Sequence, residues 1–301
     1  MKHVHTRSLD VPPHTRAAAA PTPLAARVRR LLSFMLAHAV LLAGAVFMLL
    51  PFVFMLVSSI KPPAEIFEAT FALWPRNFYG LQNFRTALTT APLLHFLVNG
   101  LIVCGGILIV QLLVAIPCAY ALAKLQFPGR RLLFALVVLG LCIPVQAPAL
   151  PLYIAFAQLG VLNTYFSMMA PFFLSVFAIF LFRQFFKSFP DEIIQAARLD
   201  GVGELEIVWR IVVPSAWPAI AAFAVFSVVA HWNDLYWPLI VISDTKLATP
   251  PLGMMFFADS EVGSNYGALA AGATIITAPL VVAFLLARRR FIAGITMTGI
   301  K

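Results

Sequence analysis

The residues best equipped to meet a ligand lie in HWNDLYW, His231 to Trp237, with Gln146 and Asn163 as separate amides earlier in the chain. Trp232, Asn233 and Tyr236 set aromatic faces beside amide and hydroxyl groups. That pairing suits sugars, because a ring stacks on their C–H faces while polar groups meet their hydroxyls. The same residue types also form the aromatic belt of a membrane interface, and both readings stand. Covalent chemistry has less to work with: the chain has no GxxxxGK[ST] loop, no HExxH pair and no GxSxG turn. Cys104, Cys118 and Cys142 fall in apolar runs without metal-like spacing and read as buried thiols. His38 and His95 read as packed, hydrogen-bonded side chains. One further polar stretch, QAARLDG from Gln195 to Gly201, stands out inside an otherwise apolar chain.

The elements that must position these groups are membrane spans. The chain has 301 residues, of which 61% are hydrophobic and 11% charged, well outside the balance of a soluble domain. Apolar runs long enough to cross a bilayer cover roughly 31–58, 94–122, 132–156, 167–187, 211–235 and 266–287. Before them lies a tail with Pro12, Pro13, Pro21, Pro23 and an alanine run at 17–20, a composition that reads as disordered. Its alanines precede the apolar run, where a signal-peptide cleavage site would follow it, so the first span is expected to stay attached.

The net charge of +9 is a topology signal. Of the 21 basic residues, only Lys61, Arg76, Arg85 and Lys246 fall in the connections on one side. The others cluster in the tail, the 123–131 loop, the 182–210 segment and the C-terminus. Both termini are therefore expected in the cytoplasm, and nucleic-acid binding is not needed to explain the charge. The expected organisation is a cytoplasmic tail over 1–30 and a six-helix transmembrane domain over 31–301, with a cytoplasmic loop at about 188–210 and a C-terminal tail at 288–301.

Prolines punctuate the runs, with Pro144, Pro148 and Pro151 breaking the third. No Asp, Glu, Lys or Arg lies in the middle of any run; Lys124 and Asp234 sit near ends. Ion-coupled carriers use intramembrane ionisable groups, so their absence points to an energy supply outside the chain.

In SFPDEIIQAARLDGVGELEIVWRIVVP, Pro190 suits a first helical position, Asp191 and Glu192 favour the first turn, and Gly201 suits a left-handed stop. A helix from Pro190 to Asp200 would be about 16 Å long, too short to cross a membrane. Gly201 and Gly203 then turn the chain into a second helix, ELEIVWRIVV, which leads into the fifth run.

The spacing QAA-x3-G-x9-I-x-VP, Gln195 to Pro214, resembles the EAA-x3-G-x9-I-x-LP signature of permease subunits in binding-protein-dependent ATP-binding-cassette importers. Among these it is most similar to the carbohydrate-uptake, maltose-type second permease. The resemblance extends through LQNFRTAL, LVNGLIV, IPVQAPALPLYIAFAQLGVLNTYFSMMAPF, FLFRQFFKSFPDEI, WNDLYWPLIV and RRRFIAGITMTGIK. It implies an all-α membrane protein with six spans in the type I importer transmembrane fold. It also implies that 191–200 is a coupling helix docking in an ATPase, with Gln195, Ala196, Ala197, Asp200 and Gly201 at the contact. The family has glutamate where this chain has Gln195, and Glu192, one turn earlier, is the candidate to supply that charge. Implied partners are a companion permease in a heterodimer, two ATPase subunits that bind ATP and Mg, an extracytoplasmic solute-binding protein and membrane lipid. No cofactor is expected in this chain itself, and no enzyme activity. The solute implied is a sugar, a polyol or a glycerol phosphate, and the 59–92 loop reads equally as a binding-protein dock or an amphipathic cover. An ion-coupled secondary transporter and an intramembrane enzyme are the competing readings. The uncharged span interiors and the missing catalytic motifs weigh against them.

Overall fold

The computed structural model describes residues 24–68, 72–260 and 265–296, so the proline-rich tail over 1–23 lies outside the described residues. Among them the chain is helical and contains no strand. The helices are α1 (Leu24–Ser59), α2 (Pro63–Ile66), α3 (Gly80–Thr90), α4 (Leu93–Lys124), α5 (Arg130–Gly140), α6 (Ala149–Gln158), α7 (Tyr165–Met169), α8 (Val176–Lys187), α9 (Asp191–Leu199), α10 (Glu204–Ile207), α11 (Val213–Ser215), α12 (Trp217–Trp232), α13 (Tyr236–Val241), α14 (Pro250–Ser260) and α15 (Tyr266–Thr296).

Residues up to Val53 form one unit and Phe54 onward another. In the first, α1 is apolar on every side, and each residue from Val28 to Val53 is exposed. A helix apolar all round has lipid or another apolar surface as its natural solvent.

In the second unit α4 is the axle, packing against α8 and α12, while α15 packs against α3 and α12. Two apolar clusters are strung along α4. The first gathers Phe96, Val103 and Ile107 with Met168, Trp237, Leu252 and Phe257. The second gathers Ile116, Ala119 and Tyr120 with Phe182, Phe186, Ile194, Ile207 and Phe223.

Among the described residues three helices are long and apolar enough to cross a membrane: Val28–Ser59, Leu93–Lys124 and Tyr266–Leu285. Two bent pairs raise the number to five: Tyr165–Phe172 with Val176–Lys187, at 43°, and Glu204–Ser215 with Trp217–Trp232, at 83°. The third apolar run is α5 and α6 with the proline-bearing 141–148 stretch between them.

The fifth run, expected as one span over 211–235, bends by 83° between Ser215 and Trp217. Pro218 sits in the first turn of α12, where its missing N–H costs nothing, and Ala216 at the corner is fully buried. Ahead of the corner, the expected ELEIVWRIVV helix is divided. A π-helical turn over Val208–Val212 separates α10 from α11, which carries Pro214.

The α7–α8 break shows how interrupted helices keep their backbone satisfied. Pro171 has no N–H to give the Ser167 carbonyl one turn earlier, and the Trp237 indole N–H donates there instead, at 2.8 Å. Gln111 Nε2 donates to the Phe172 carbonyl at 2.9 Å, and Ser175 caps the new helix by accepting from the Ala178 amide at 3.1 Å. Gln111 Oε1 in turn accepts from Ser227 Oγ at 2.7 Å, tying the break in α8 to α12 through α4.

Two cysteine expectations are corrected. Cys104 is buried, but Cys118, on α4, and Cys142, in the break after α5, are exposed. His38 and His95 are hydrogen-bonded, His38 to the Phe34 carbonyl at 2.8 Å and His95 to the Lys246 carbonyl at 2.6 Å.

Candidate functional site

The polar stretch around Gln195 folds as α9, nine residues and about 13.5 Å long. Pro190 is its cap, with extended backbone, and lies outside the helix; the helix begins at Asp191, whose charge lies with that of Glu192 in the first turn. At the other end the chain closes in a Schellman turn. The Gly201 amide donates to the Arg198 carbonyl and the Val202 amide to the Ala197 carbonyl, each at 3.0 Å. Gly201 has φ +81°, the left-handed conformation that glycine adopts without penalty, and a Cβ built there would meet nothing within 4 Å.

Helical periodicity divides α9 into two faces. Ile194 and Ala197 are buried in the second apolar cluster. Glu192, Gln195, Ala196, Leu199 and Asp200 recur at three- and four-residue intervals on the opposite face, and all are exposed. Ala197, expected at the partner contact, is packed in that cluster and 7% exposed. Leu199, on the bare face, is 90% exposed at the tip of the helix. It follows QAAR directly, and the two-faced spacing of 192, 195, 196 and 199 was the signal that could have found it.

The segment is fixed to α4 by side chains that no local pattern links. Tyr120 Oη donates to Glu204 Oε2 at 2.7 Å, and Arg198 Nε donates to Glu204 Oε1 at 2.7 Å. The Arg198 bond holds the Glu204 carboxyl below its ordinary pKa. Lys124 Nζ donates to the Phe189 carbonyl at 2.6 Å and to Asp191 Oδ1 at 2.5 Å. Arg130 caps the end of α4, donating from Nε, Nη1 and Nη2 to the carbonyls of Leu122, Leu125 and Ala123, each at 2.9 Å.

The possible solute-path residues do not converge. Gln146 is exposed in the 141–148 break. Trp232 is 5% exposed, its ring close to Gly100, and Asn233 bonds the Val229 carbonyl at 2.8 Å. Tyr236 lines a cleft of about 330 Å³ with Ala149, Leu150, Tyr153 and Ile240.

Asn163 holds a turn: it has φ +57°, and its Oδ1 accepts from Ser243 N, Ser243 Oγ and Asp244 N at 2.6, 3.1 and 3.1 Å. An Asn163→Ala variant is expected to lose about 1–2 kcal/mol, mostly from the left-handed backbone, because the exposed amides regain water. Thermal unfolding in detergent checks this. Asn163→Gly, which keeps the backbone conformation, should lose less.

The remaining polar anchors went unnoticed in the sequence. Asn99 Nδ2 donates to the Lys246 and Ala248 carbonyls, each at 2.9 Å, while its Oδ1 accepts from Tyr165 Oη at 2.6 Å. In the 59–92 loop, Asn83 Nδ2 reaches the Ser59 and Lys61 carbonyls at 3.0 and 2.8 Å.

Comparison with known proteins matches this arrangement to a family. Residues 111–296 fit "Binding-protein-dependent transport system inner membrane component". The chain is 32% identical to the diacetylchitobiose uptake system permease protein NgcG of Streptomyces coelicolor, over 88% of this chain and 87% of that one. It is also 32% identical to the arabinooligosaccharides transport system permease protein AraQ of Halalkalibacterium halodurans, over 83% and 90%. With the sn-glycerol-3-phosphate transport system permease protein UgpE of Yersinia pestis the identity is 30%, over 86% and 94%. A solved chain from a bacterial ABC transporter involved in the import of the acidic polysaccharide alginate superposes with a TM-score of 0.76 at 24% identity, over 90% of this chain and all of that one. A family match across most of the second unit, with relatives aligned nearly end to end, leaves one assignment: the chain belongs to the inner-membrane permease components of binding-protein-dependent transport systems.

Proposed function

We propose that the chain is one half of the translocation path of an ATP-driven importer for a sugar or a chemically related solute such as a polyol or glycerol phosphate. The observation that carries this reading is the exposed face of α9, with Glu192, Gln195, Ala196, Leu199 and Asp200 presented on a helix whose other face is anchored in the core. A short amphipathic helix held this firmly and left bare on one side is built to dock. Its partner is a pair of ATPase subunits, which bind the ATP and Mg. Glu192 and Asp200 provide carboxylates on the docking face, so the neutral Gln195 does not remove its charge.

The other elements complete the scheme. The chain crosses the membrane six times, with α5 and α6 together forming the third crossing, and both termini lie in the cytoplasm with the basic residues. A companion permease supplies the other half of the path, and a solute-binding protein delivers cargo from outside. Relatives named for diacetylchitobiose uptake, arabinooligosaccharides transport and sn-glycerol-3-phosphate transport support a hydroxyl-rich solute.

Co-expression with the neighbouring transport genes tests the reading. The tagged chain should bring down an ATPase, and a Leu199→Cys variant should crosslink to it. Calorimetry of the co-encoded binding protein against diacetylchitobiose, arabinotriose and sn-glycerol 3-phosphate then identifies the solute class. A chain that purifies without any ATPase would overturn the assignment of α9.

A further inference from the structure

Tyr120 and Lys124 are four residues apart and share one face of α4. They reach opposite ends of α9. Lys124, with its side chain 7% exposed, places its ammonium on the Phe189 carbonyl and Asp191 at the start of the helix. Tyr120, fully buried except for its reach to Glu204, engages the residue that also holds Arg198 near the end of α9. The short helix is thus held at both ends by two successive turns of α4, in addition to its direct chain connections to α8 and α10.

These bonds differ in kind from the apolar contacts beneath them. Apolar surfaces slide with little directional penalty. Charge-assisted hydrogen bonds at 2.5–2.7 Å fix separation and angle. The Lys124 ammonium is also shielded from water, so releasing it would strand a poorly solvated charge. A force applied to the bare face of α9 therefore arrives at α4 as well as at the α10–α12 connection. Farther along α4, Gln111 carries the bonds to the α8 break and to Ser227 of α12.

We propose that Tyr120 and Lys124 are positioning residues that make α9 and α4 one rigid body during transport, giving the ATPase stroke a second output besides the fifth span. This rests on reading α9 as the docking helix.

The test uses the assembled importer, with Cys104, Cys118 and Cys142 replaced by serine and spin labels on pairs of exposed positions. One pair is Ile193→Cys with Leu113→Cys, which reports α9 against α4; the other is Ile193→Cys with Leu285→Cys, which reports α9 against α15. Distances are read by double electron–electron resonance, without nucleotide and with Mg-ATP trapped by orthovanadate. The 193–285 distance should shift with nucleotide while the 193–113 distance stays the same. Adding Tyr120→Phe and Lys124→Met should make the 193–113 distance nucleotide-dependent by about 2 Å or more, the scale of helix shifts at working interfaces. Lys124→Arg, which keeps the charge, should restore the fixed distance. A contact that only helped the loop to fold would lower the yield of assembled importer and leave the nucleotide response unchanged. The proposal is overturned if 193–113 shifts with Tyr120 and Lys124 intact, or if it stays fixed in the double variant. A 193–285 distance indifferent to nucleotide would instead reject α9 as the docking helix.

Discussion

A Gly201→Trp variant is expected to reach the membrane in normal amount and to carry no solute. Two effects act together. The backbone at Gly201 is left-handed, with φ +81°, and a residue with a Cβ incurs about 1–2 kcal/mol of strain there. The indole also projects from a position where this chain offers no neighbour within 4 Å, into space next to the docking face. Strain alone is separable: Gly201→Ala adds the backbone penalty without bulk and should cut uptake by a factor of about 5–30. Gly201→Asn, whose side chain tolerates the left-handed region, should fall between alanine and the parent. Uptake, ATP hydrolysis and the amount of chain in the membrane are measured on the same preparations. Uptake by Gly201→Trp at the parental level would remove α9 from the coupling path.

The second large effect is expected at Leu199. Its side chain is 90% exposed in this chain, so its replacement leaves the fold intact. If the docking face is covered by the ATPase, Leu199 is the one large apolar group on it, and burying a leucine is worth about 1.5–3 kcal/mol. Leu199→Asp removes that burial and adds a carboxylate beside Glu192 and Asp200. ATPase affinity should drop on the order of 100-fold, read by titrating purified ATPase onto immobilised permease. Leu199→Met, which conserves volume and apolarity, should bind like the parent. An aspartate variant that binds normally would show that the helix tip stays in solvent.

What could be read from sequence here was what local chemistry decides. The start of α9, its stop at Gly201 and the proline-broken third run each depend on residues within a turn or two of one another. The burial of Ala197 was not legible because a spacing signature fixes positions along the chain, whereas the core decides which side of a helix turns outward. Ile194 and Ala197 lie three apart, and the apolar cluster beneath claimed both. The Tyr120–Glu204 bond joins residues 84 apart, and Gln111 meets Ser227 across 116; neither pairing exists before the helices pack. Pro214 and Pro218 mark the α11–α12 corner in the sequence, and its 83° angle appears only once the helices are packed. The scattered solute-path residues show the same limit. An aromatic cluster in sequence, HWNDLYW, is split by the turn after α12 into a core tryptophan, an exposed amide and a cleft-lining tyrosine.

The two apolar clusters strung along α4 bear on how such a protein diversifies. Substitutions far apart, with no shared neighbours, change stability almost independently. Mutations accumulating around Phe96, Trp237 and Phe257 therefore leave the packing around Phe182, Ile194 and Phe223 untouched. Each end of α4 is free to repack without disturbing the other, and one long helix keeps the two histories in a single chain.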